Sequence, residues 1–156
     1  MGYEKLLELK EIMEKKKECL QEILLTAKVQ AELILTNEDE LDLFGEYIGE
    51  KENLIRTLNQ ISEEHEELIK VSAGADLWDN NQDMVRQVNR LNQEIISLSR
   101  EIEKLEEKSK ENFESYIRQE SEKIKSFRLN NQITSSYYKS MNGVQLEGSY
   151  FMDKRK

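Results

Sequence analysis

Apolar residues recur along this chain at the spacing of one helix face. Leu6, Leu9, Met13, Leu20, Ile23, Ala27, Ala31 and Ile34 follow at intervals of 3, 4, 7, 3, 4, 4 and 3. That stripe predicts a first helix over 3–36, about 50 Å long at 1.5 Å per residue. Thr36-Asn37 interrupts it, and Asn37 with Glu40 three positions on forms a capping arrangement. A second helix is expected over 38–71, with Leu41, Phe44, Ile48, Leu54, Leu58, Ile61 and Leu68 inward. Gly45 and Gly49 lie within it at the spacing that lets a neighbouring helix approach closely.

The clearest break is Ser72 to Asn81, a run of small residues, a glycine and clustered Asp and Asn. Trp78 within it is expected to plug the end of the bundle. Val85, Val88, Leu91, Ile95, Leu98, Ile102 and Leu105 then mark a third helix, expected to run over 82–141. Gly143 and Gly148 with no further periodicity make 142–156 a mobile tail in this reading. The expected architecture is all-α: a single domain over 1–141, built as a three-helix coiled-coil-like bundle of long antiparallel helices. Its third helix, about 90 Å long, would outrun the other two, and its C-terminal half would project or fold back.

Composition narrows this further. The 156 residues include no proline and six glycines, which excludes the turn-rich β-sandwiches and barrels. There is no 18-residue apolar run and no secretory segment, so membrane insertion is not expected and a cytoplasmic setting is. The net charge of −9 is local. Between Asn37 and Ile69 eleven acids face only Lys51 and Arg56, leaving 21 acids and 21 bases elsewhere. Nothing here resembles a basic nucleic-acid footprint. The acidic stretch reads as a solvated helix face, or alternatively as one that steers a basic partner.

Catalytic chemistry has little to draw on. The lone Cys19 excludes a disulfide framework and sits at an apolar position, as a small buried hydrophobe would. The lone His65 lies between Ile61 and Leu68, where an interhelical histidine is expected. A di-iron bundle would need two Glu-x-x-His pairs, and the residue three before His65 is Ser62. No phosphate loop, nucleophile elbow or Cys–His pair occurs, so neither an enzyme nor a cofactor or metal is expected.

The third helix changes character after Leu105. Ser109, Asn112 and Glu120 fall where apolar residues should be, and seven of the eleven aromatic residues lie in the last 44 positions. An exposed stripe of this kind is a docking surface for a partner's helix, or a self-association face that gives a homodimer. The residues expected to form it are Phe113, Tyr116, Ile117, Ile124, Phe127, Ile133, Tyr137 and Tyr138. Cutting the chain after Lys110 would then remove partner binding and leave the bundle folded.

Two stretches carry a family resemblance. Leu33 to Leu41 followed by Gly49-Glu50-Lys51-Glu52-Asn53-Leu54-Ile55 resembles the hairpin of the FlgN family of flagellar type III export chaperones, where a short polar break precedes a Glu-Lys-Glu-x-Leu helix. Ser149-Tyr150-Phe151-Met152-Asp153-Lys154-Arg155-Lys156 is similar to the aromatic-x-Asp-Lys-Lys endings of that family. FliT-type flagellar chaperones share the same helical build. The resemblance implies a cytoplasmic, non-enzymatic protein that holds hook–filament junction proteins, prevents their premature assembly and presents them to the export apparatus. The alternative from another class is a coiled-coil adaptor or spacer that dimerises permanently.

Overall fold

A computed structural model of the chain describes residues 2–72, 81–120 and 134–139, with the backbone alone at residues 2, 71, 72 and 120. Helix α1 is Gly2–Glu32, α2 is Glu38–Ser72 and α3 is Gln82–Glu120, and residues 134–139 are also helical. No strand occurs among the described residues. The fold is all-α, with three long helices packed on one another.

Side-chain contacts fix the directions of the helices. Cys19 of α1 meets the Leu54 carbonyl of α2, and Gln30 meets that of Phe44, so α1 and α2 are antiparallel. Lys17 pairs with Glu94 at 2.7 Å and the Asn112 amide donates to the Ala31 carbonyl, so α1 and α3 run parallel. The α1 backbone lies close to both other helices, and α2 meets α3 through long side chains.

The first helix stops at Glu32, four residues short of the expected Thr36. Its apolar periodicity is lost in the non-helical stretch that follows, where Ile34 is 74% exposed and Leu33 and Leu35 are half-buried. Asn112 explains part of this end, because its donation to Ala31 satisfies one of the orphan carbonyls of the last turn. At the start of α2, Asn37 caps as expected. Its side-chain oxygen accepts from the Glu40 N–H at 3.0 Å, while the Glu40 carboxylate reaches back to Thr36 and the Asn37 amide. Glu38, Asp39 and Glu40 in the first turn complement the helix dipole.

The glycine expectation fails. A methyl group at Gly45 or Gly49 would meet nothing within 4 Å, so neither marks a close helix approach. The acidic stretch is as expected a solvated face, since none of its eleven carboxylate side chains is buried. Trp78 and residues 142–156 lie outside the described residues.

The inward stripe itself differs in detail. In α2 it runs Leu41, Phe44, Ile48, Lys51, Ile55, Leu58 and His65, all buried, with Leu54, Ile61 and Leu68 half-buried beside it. In α3 the buried line continues from Val88 through Asn92, Ile95, Ser99, Ile102, Glu106 and Ser109 to Phe113 and Tyr116. Val85, Leu98 and Leu105 flank it. Polar residues thus take seam positions, and neighbouring apolar ones cover their sides.

Candidate functional site

Residues 134–139 fold back rather than project, and the expected exposure of the aromatic stripe is the largest correction. A straight helix would place the backbones of residues 113 and 138 about 37 Å apart. Their rings are instead in contact, with centroids 6.5 Å apart and a tilt of 39°. The helical segment 134–139 therefore lies alongside the bundle, and one straight helix over 82–141 is excluded. The stripe expected to be exposed is largely interior: Phe113, Tyr116, Tyr137 and Tyr138 are buried and Ile117 is half-buried. Ile124, Phe127 and Ile133 lie outside the described residues. Phe113 also stacks on Phe44 at 5.6 Å and 13°, so a cut after Lys110 would remove part of the core.

Beneath this aromatic cover sits a polar layer with one contribution from each helix. Gln30 of α1 and Lys51 of α2 are fully buried, and Glu106 of α3 is nearly so. The Lys51 ammonium donates to the Gln30 side-chain oxygen and forms an ion pair with Glu106. The Gln30 amide in turn donates a hydrogen bond to the Phe44 carbonyl at 3.2 Å. Burial draws the Lys51 pKa down, and the Glu106 carboxylate pulls it back up through charge and a hydrogen bond. Breaking such a pair by deleting one partner leaves an uncompensated buried charge.

Residues 134–139 close the layer from the fourth side. The Tyr137 ring lies over the Lys51 ammonium, 4.8 Å from Nζ to the centroid, a cation–π contact out of water. Tyr137 and Tyr138 meet edge to face at 5.1 Å and 71°. Together they span the gap between α2 and α3. Their hydroxyls fare less well. Among the described residues Tyr138 Oη has no hydrogen-bond partner, nor have Glu106 Oε2 and Ser109 Oγ. Tyr137 Oη lies near enough to Glu106 to feel its charge but makes no hydrogen bond of ordinary geometry. Both phenol pKa values are pushed far above their ordinary range, first by burial and then by Glu106. The cover thus buries aromatic surface at the cost of several unmet hydrogen bonds.

An open groove of about 470 Å³ adjoins the site where α1 ends, lined by Leu33, Ile34, Leu35, Asn112 and Tyr116 among others. Among the described residues, no three His, Cys, Asp or Glu side chains gather as a metal would require, and no helix is long and apolar enough to cross a membrane. Reading by residue type misses Lys51, Gln30 and Glu106. Spacing could have found Lys51, three after Ile48 and four before Ile55. No family model, curated protein or solved structure matches the chain.

Proposed function

We propose that this chain is a cytoplasmic, non-enzymatic export chaperone of the FlgN type, the FliT type being the nearest variant. It holds the terminal helix of a hook–filament junction protein, keeps it from assembling early and hands it to the flagellar export apparatus. The observation that carries this reading is the cover itself. A short aromatic segment completes a groove between α2 and α3 while leaving buried polar atoms unmet, so a client helix can take its place. The sequence-level expectation put the client on a free C-terminal stripe. Since that stripe is engaged within the chain, client and segment 134–139 compete for the same aromatic contacts. The acidic outer face of α2 keeps the loaded complex in solution.

The second reading, a permanently dimeric coiled-coil adaptor, draws on Leu25 and Val29, one turn apart on α1 and exposed at 63% and 46%. Light scattering across a dilution series, with and without a flagellar axial protein, separates the two. The chaperone reading requires a discrete complex with the axial protein. A dimer that persists on dilution and ignores every axial protein would establish the adaptor.

A further inference from the structure

We infer that the groove between α2 and α3 selects a helical partner segment carrying two consecutive aromatic residues. This rests on the reading that segment 134–139 is replaceable. Its present occupant shows which chemistry fits. One wall offers the Lys51 ammonium, held in place by Gln30 and Glu106; the other offers the face of Phe113, itself stacked on Phe44. Neighbouring residues on a helix diverge by about 100°. An adjacent pair can therefore send one ring to each wall, as Tyr137 does to Lys51 and Tyr138 to Phe113. Leucine at the first position would fill space but forgo the cation–π contact, and at the second it would lose the ring contact with Phe113. The described residues of the groove supply no hydrogen-bond partner to Tyr138 Oη, so phenylalanine suits this second position better than tyrosine. The partner class is thus a helix with a Phe-Phe, Tyr-Phe or Tyr-Tyr step.

The test uses the full chain with its own cover disabled by Tyr137→Ala and Tyr138→Ala. The probe is a fluorescent peptide of residues 128–141 bearing Tyr-Tyr, Phe-Phe, Leu-Tyr or Ala-Ala at the two positions. We expect saturable binding of Tyr-Tyr, about tenfold tighter binding of Phe-Phe, and at least hundredfold weaker binding of Ala-Ala. Adding Lys51→Met with Glu106→Leu, a swap that removes both charges and keeps the core filled, should abolish the preference for Tyr-Tyr over Leu-Tyr. Equal binding of Ala-Ala and Tyr-Tyr overturns the inference, as does no binding of any aromatic peptide. A concentration-dependent dimer of the unmodified chain, exchanging segment 134–139 between copies, would make a second copy the occupant and overturn it too. Failure of the chaperone reading is distinguishable: aromatic peptides would bind while no axial protein did. Conversely, an axial protein whose binding survives loss of its aromatic pair would refute this inference alone.

Discussion

Two lysines are buried among the described residues, and their surroundings are opposite. Lys51 has a carboxylate from α3, an amide oxygen from α1 and a tyrosine ring above it. Lys16 of α1 is 4% exposed, and among the described residues it makes no ion pair. Its charge instead bears on His65 of α2, a second base. Burial alone pulls Lys16 down to about 8, and burial with the Lys16 charge pulls His65 down to about 4. One layer is thus a neutralised, cross-linked seam that fixes which helix faces meet. The other is a site where folding works against protonation. Polar residues in a helical core can specify register or tax stability, and this chain does each in a different place.

The sharpest way to break the contrast is to make the first layer resemble the second. Glu106→Ala strands the Lys51 ammonium and should cost about 3–5 kcal/mol in chemical denaturation. Lys51→Met with Glu106→Leu should cost far less, or even stabilise. If the single and double variants lose the same amount, the layer owes its stability to packing and the ion pair is incidental.

The second layer is predicted to shape the pH profile. Below pH about 8 Lys16 is protonated in both states, and the full penalty, about 3 kcal/mol, weighs on the native fold. Between about 8 and 10.5 the unfolded chain binds this proton more firmly, so stability should climb as pH rises. Lys16→Met should flatten that rise and stabilise the protein at neutral pH. His65 acts in the same direction lower down. Its folded pKa lies beneath the ordinary 6.5, so stability should fall as pH drops from 6.5 through about 4, again by about 3 kcal/mol. In Lys16→Met the His65 limb should shift upward, since the neighbouring charge is gone. Melting curves across pH for the parent and Lys16→Met check both limbs, and an unchanged His65 limb would show that the bases do not sense each other.

This division into layers was only half legible in the sequence. Element type, the breaks at Asn37 and Ser72, and the solvated acidic face follow from periodicity, capping residues and charge. These are local properties that the chain states directly. Lys16, Gln30, Lys51 and Glu106 occupy seam positions by spacing, but long polar side chains at such spacing usually reach solvent. Nothing short of three helices in register reveals that the last three point at one another and that Lys16 stays buried. The aromatic cover was misjudged for a related reason. Phe113, Tyr116, Tyr137 and Tyr138 were recognisable as a contact surface, but amphipathicity states that a face is buried without naming what buries it. Here the chain itself does so.

A smaller change tests the cover. Tyr138→Phe removes a buried hydroxyl with no partner and should stabilise by about 1 kcal/mol. Hydrogen exchange at residues 134–139 should slow by a matching factor. If the fold loses stability instead, the hydroxyl holds a water that bridges it to Ser109 or Glu106, and the cover is better satisfied than direct contacts indicate.

The smallest effect addresses whether the two layers are energetically separate. Gly45 and Gly49 face open space on α2, the first under two turns and the second about half a turn before Lys51, and both several turns from His65. Replacing each with alanine should add about 0.5–1 kcal/mol through helix propensity alone. Because the change stiffens α2 without touching either layer, its increment should be the same in the parent, in Glu106→Ala and in Lys16→Met. Suppose the gain shrinks in Glu106→Ala but not in Lys16→Met. Then the stretch of α2 around Lys51 no longer holds its helix against the rest once the ion pair is gone. The first layer would then be what locks α2 onto α3, a role for which Lys16, with no ion pair among the described residues, has no means.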